Sequence, residues 1–106
     1  MGRRTNLHAV WDWAILAPAV AGDERAYALQ LVRSMKPDDI DRWRGGSPAD
    51  WATESYKIAR RLIYGAWPHD PGALPASYET EALPIVNVQL DKAGVRLAAV
   101  LNASLP

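Results

Sequence analysis

The sequence predicts an all-α fold of four to five helices, and three observations carry that expectation. Apolar residues recur at helical spacing along most of the chain, and prolines and glycines punctuate it at helix-length intervals. No stretch shows the period-two alternation of a strand. A chain of 106 residues with 49% apolar side chains suits one globular unit, residues 1–106, burying roughly two-thirds of its unfolded surface. Twelve Lys and Arg balance twelve Asp and Glu, so no net charge draws the whole surface toward polyphosphates. The absence of cysteine removes disulfides, thiolate zinc sites and thiol nucleophiles. No apolar run approaches the roughly 20 residues needed to cross a bilayer, so no membrane is expected as a partner. Met1-Gly2-Arg3-Arg4 leads into Thr5-Asn6-Leu7-His8 and not into an apolar core, so it does not read as a signal peptide.

The first helix is expected from about Asn6 to Ala17, capped by Thr5 or Asn6 and stopped by Pro18. Leu7, Val10, Trp11 and Ala14 share one of its faces. A second helix opens near Gly22-Asp23-Glu24, where carboxylates complement the helix dipole, and carries Ala28, Leu31, Val32 and Met35 until Pro37 ends it. Pro37 to Trp43 reads as a short helix broken by Gly45-Gly46. The third long helix has the clearest start: Ser47 as N-cap, Pro48 in the first helical position and Asp50 as the capping-box acid. Trp51, Ser55, Ile58 and Leu62 form its stripe, and Gly65 closes it. Pro68, Pro71, Gly72 and Pro75 make the following stretch irregular. The last helix holds Val86, Leu90, Ala93, Leu97 and Leu101, with Pro84 marking its first turn or a kink after a short helix near Ser77 to Leu83. The expected core is Trp51, Ile58, Leu62, Val86, Leu90, Leu97 and Leu101.

The sharpest chemical feature is Asn6-Leu7-His8-Ala9-Val10-Trp11-Asp12. His8 and Asp12 stand four apart, so a helix stacks them on one face. An imidazole nitrogen and a carboxylate oxygen suit zinc, yet a zinc site needs at least three protein ligands. Taken alone, the pair is as well explained by Asp12 accepting a hydrogen bond from His8 or a nearby Arg.

The wider pattern changes that balance. Thr5-Asn6-Leu7-His8-Ala9-Val10-Trp11-Asp12 resembles the NLHxxWD signature of the S1/P1 nuclease family of zinc-dependent single-strand nucleases. Gln89-Leu90-Asp91-Lys92-Ala93-Gly94-Val95-Arg96-Leu97-Ala98-Ala99-Val100-Leu101-Asn102 resembles that family's C-terminal helix, and Trp51-Ala52-Thr53-Glu54-Ser55 with Ile63-Tyr64-Gly65 resembles its WAxES…vYG helix. The three blocks stand in the family's order and span Thr5 to Asn102. The resemblance implies the C-terminal part of the phospholipase C/P1 nuclease helical fold. It also implies an endonuclease and 3′-nucleotidase that hydrolyses phosphodiesters of single-stranded DNA and RNA to 5′-phosphorylated products.

In the family a three-zinc cluster is held by about nine protein ligands, including an N-terminal Trp amino group. Of these, only His8 and Asp12 have counterparts here, so at most one partial zinc site is expected and no catalytic residue is assigned. The GDxGGN stretch that precedes NLHxxWD in the family is replaced by Met1-Gly2-Arg3-Arg4. The expected partners are therefore single-stranded nucleic acid and the N-terminal half of the domain, and the 106 residues alone are expected to be inactive. The resemblance implies full-length proteins that are mostly secreted or periplasmic. A non-catalytic helical domain and a zinc phospholipase C-like protein are the competing readings. His8 must be neutral to ligate, so metal binding is expected to weaken below about pH 6.5.

Other features have ordinary explanations. His69 sits in a proline-rich stretch that reads as a solvent-facing loop. Lys57, Arg60 and Arg61 suit phosphates, but equally suit the solvated face of an amphipathic helix. Trp11 fits the core better than a base-stacking platform, whereas Trp13 points elsewhere. Glu54 reads either as a carboxylate orienting a metal ligand or as the partner of Lys57 one turn on. Asn102-Ala103-Ser104 fits a glycosylation pattern that short sequences match by chance. Exposed apolar surface is expected where the rest of the domain would dock.

Overall fold

A computed structural model describes residue 11, residues 14–61, the backbone of residues 62–64, and residues 77–106. Five α-helices follow in order: α1 Ala17–Val20, α2 Glu24–Ser34, α3 Pro37–Arg44, α4 Pro48–Ile58 and α5 Ser77–Ser104, with a π-helical stretch Ala59–Tyr64 continuing α4. No strand occurs among the described residues, and the all-α expectation holds.

The helix starts follow capping chemistry. Asp23 accepts from the Ala26 N–H at 3.0 Å and opens α2. At α4 the capping box forms as the sequence predicts: Asp50 N–H donates to Ser47 Oγ, and Ser47 N–H donates to Asp50 Oδ2 at 2.8 Å. Gly46 precedes it at φ 87°, and a Cβ there would meet Asp50 Oδ2 and Trp51 Nε1, each at 3.3 Å. Only glycine allows the α3–α4 turn to fold this closely under Trp51, whose Nε1 donates to Gly45 O at 2.9 Å.

Two prolines act differently from expectation. Pro18 sits in the first turn of α1, where its missing N–H costs nothing, so it starts a helix rather than stopping one. Pro84 lies inside α5, which runs unbroken from Ser77 to Ser104 instead of beginning there. Its first turns are held by tertiary contacts: Trp11 Nε1 donates to Tyr78 Oη at 3.0 Å, and the two rings meet edge to face at 6.2 Å. That anchoring offsets the backbone hydrogen bond that Pro84 removes.

The buried core of the described residues is Ile15 and Ala82, with Trp11, Tyr78, Leu83 and Val86 packed around them. Trp51, Ile58 and Val86 are half-buried. Leu90, Leu97 and Leu101, expected in the core, are instead 41%, 60% and 46% exposed. Val32, expected on the buried stripe of the second helix, is likewise 60% exposed. Helical periodicity identifies a face that can be buried, and the described residues leave these side chains largely uncovered. The Leu62 side chain lies outside the described residues.

Candidate functional site

His8 and Asp12 lie outside the described residues, as do Trp13 and His69. The structure describes the residue beside the first motif's acid: Trp11, tied to Tyr78 at the start of α5. Its ring faces a shallow apolar groove of about 310 Å³ shared with Ile58, Val86 and Leu90, with Ser55 and Gln89 as its polar groups. Trp11 therefore packs between elements, as its position on the apolar face predicts.

The best-defined polar arrangement joins α4 to α5 through one carboxylate. Glu54 Oε1 accepts from Lys92 Nζ at 2.6 Å, and Oε2 accepts from Arg96 Nη1 at 2.6 Å. Lys92 and Arg96 stand one turn apart on α5, so the helix aims both cations at the same acceptor. Arg96 does more than pair: its Nε donates to Trp43 O at 3.1 Å, at the end of α3, and its guanidinium lies 5.3 Å over the Trp51 ring. One side chain thus fastens α3, α4 and α5 together. Hydrogen bonds from Arg96, then Lys92, hold the Glu54 carboxyl below its ordinary value.

This geometry corrects the sequence reading of Glu54, whose partners are on α5 and not Lys57. The local i,i+3 pairing competes with a tertiary pair in which two cations converge, and the second has twice the charge. The signal was the Lys92–Arg96 spacing, which the helical period puts on one face.

Beside the clamp lies an open cleft of about 540 Å³ lined by Asp50, Thr53, Glu54, Lys57, Ile58, Arg61 and Lys92. Asp91, next to the clamp in sequence, differs from Glu54: its Oδ1 is buried without a hydrogen-bond partner, and burial raises its carboxyl pKa. Among the described residues no three His, Cys, Asp or Glu gather to hold a metal. The donor types of His8 and Asp12 fit zinc, but two donors do not complete a site.

Against known proteins, the model of the S1/P1 nuclease family matches residues 1–106. The chain belongs to the S1/P1 nuclease family. Among curated relatives it is 30% identical to Endonuclease 4 of Arabidopsis thaliana over 114 residues, covering 94% of this chain and 38% of that protein. It is 32% identical to Endonuclease 2 of the same plant over 113 residues, again covering 94% of this chain and 38% of the relative. This S1/P1 family chain thus spans a little over a third of the length of the curated relatives it matches. No solved structure matches it. Among the described residues, no helix is long and apolar enough to cross a membrane.

Proposed function

We propose that these residues form the C-terminal part of a zinc-dependent nuclease domain that hydrolyses phosphodiester bonds of single-stranded DNA and RNA to 5′-phosphorylated products. The observation that carries the reading is the family match along all 106 residues, a span that contains the NLHxxWD block with His8 and Asp12. His8 supplies an imidazole nitrogen and Asp12 a carboxylate oxygen to one zinc, and the other ligands come from elsewhere in the domain. When bound, zinc would supply Lewis-acid stabilisation of phosphoryl charge and would bring the pKa of a bound water down to about 7. The helices described here serve as the support for those ligands: Trp11 pins the end of the motif to α5, and the Glu54 clamp fixes α5 against α4 and α3.

The surface supports an incomplete domain. Leu97, Val100, Leu101 and Leu105 leave an exposed apolar face on and just after the last turns of α5.

Complementation tests the reading. The chain is mixed with the N-terminal portion of a family nuclease and assayed on single-stranded oligonucleotide with zinc present. Cleavage is expected from the mixture, little from either part alone, and none when His8→Ala replaces the unsubstituted chain. Cleavage that is indifferent to His8→Ala and Asp12→Ala would refute the assignment.

A further inference from the structure

We propose that the open cleft between α4 and α5 is a phosphate-binding track, in which Lys57, Arg61 and Lys92 hold the backbone of a single-stranded nucleic acid. The cleft has two acids and three bases around it. Both acids are already committed: Asp50 Oδ2 accepts from the Ser47 N–H and Oγ, and each Glu54 oxygen takes one cation of α5. The bases are not. Among the described residues Lys57 and Arg61 make no hydrogen bond or ion pair, and Lys92 spends one of its three N–H donors on Glu54. Thr53 contributes no spare donor, since its hydroxyl donates to Ala49 O at 3.0 Å. Lys57, Arg61 and Lys92 thus carry spare charged donors beside two carboxylates that are already engaged, and an anion is their complement.

Geometry favours a strand over a lone phosphate. A site for one phosphate converges backbone N–H groups on a point, commonly at a helix N-terminus. Here the N-terminus of α4 is already closed by its own capping box, and the donors are long side chains spread along the helix flank. The volume, about 540 Å³, and the open rim also exceed what one phosphate fills. With zero net charge on the whole chain, attraction to a polyanion has to come from such a local patch. The choice of nucleic acid among polyanions rests on the nuclease reading.

The test measures binding with chelator present, so that it does not depend on zinc. A labelled single strand of about 12 nucleotides is titrated with the full chain across a salt series. The Lys57→Ala/Arg61→Ala variant is expected to lose about tenfold in affinity at about 50 mM salt. Its slope of log K against log salt should fall by about 1.4, the value for two lost single-strand phosphate contacts. Arg25→Ala/Arg33→Ala, with the same charge loss on α2 outside the cleft, should change the slope little, and Lys57→Arg/Arg61→Lys should retain binding. Equal affinity and slope in the Lys57→Ala/Arg61→Ala variant, or no binding by the unsubstituted chain, overturns the proposal. Competition by inorganic phosphate at low millimolar concentration assigns the cleft to a lone phosphate and overturns the strand. Failure of His8-dependent zinc uptake refutes the nuclease reading without altering these binding results, so the two are separable.

Discussion

The two ends of α5 have similar apolar content and opposite fates. At its start, Ala82 is 5% exposed and Tyr78, Leu83 and Val86 pack around it against Ile15 and Trp11. Past Arg96, Leu97, Val100 and Leu101 are 43–60% exposed and make the helix's outer surface. Between them sit Lys92 and Arg96, fastened to Glu54. The difference teaches that the helix is specified along its whole length by local pattern, while its burial depends on what lies opposite. The first turns have a partner within the described residues, and the last turns do not.

The largest expected effect comes from breaking the packed end. Ile15→Ala removes the larger of the two buried core residues and should cost about 3 kcal/mol in a urea titration, because so thin a core cannot repack. If the midpoint barely moves, the packed end is no better anchored than the exposed one.

Next is the joint. Glu54→Ala leaves Lys92 and Arg96, both 14% exposed, facing each other without a counter-charge. A fully buried pair broken this way costs several kcal/mol; with Glu54 itself 31% exposed, about 2 kcal/mol is expected. The pH dependence has a definite sign. The folded-state pKa of Glu54 lies below its ordinary value of 4.5, so its contribution is complete above that value and is lost as pH falls through the folded pKa. The stability gap between the unsubstituted chain and Glu54→Gln should be constant at neutral pH and shrink below about pH 4.5. A gap that persists in acid would mean that packing, not charge, joins α4 to α5.

Ser47→Ala should cost about 1 kcal/mol, the usual loss of an N-cap, and fray the start of α4 without touching either end of α5. Leu97→Lys sharpens the comparison most at the small end. It should change stability by less than about 0.5 kcal/mol in this chain, and far more once the rest of the domain is supplied. A large penalty in the chain alone would show that the exposed end is already buried, by self-association for example.

Much of this was legible in the sequence where the information is local. The Ser47-Pro48-Asp50 start of α4 follows from capping chemistry alone, and spacing puts Trp51, Ile58 and Val86 on inward faces although they are half-buried and not in the expected core. What the sequence concealed depends on tertiary choice. Ile15 and Ala82 form the core although neither stood out on a stripe, because Trp11 and Tyr78 bring the two segments together. Pro84 looked like a boundary, yet the same contacts carry α5 through it. Glu54 had a local partner one turn away and chose two on another helix, which no single-helix pattern can reveal. His8 and Asp12 were legible as a pair through the motif around them, not through their spacing, which is common on helices.

The central claim, that this chain holds part of one zinc site within a larger nuclease domain, is tested most directly by zinc stoichiometry. The chain is stripped with chelator, repleted with zinc, and its bound metal measured beside His8→Ala. The account predicts no more than one weakly held ion, lost in the variant, with little cleavage of single-stranded substrate. Three tightly bound ions with robust cleavage, or zinc retained by His8→Ala, would contradict it.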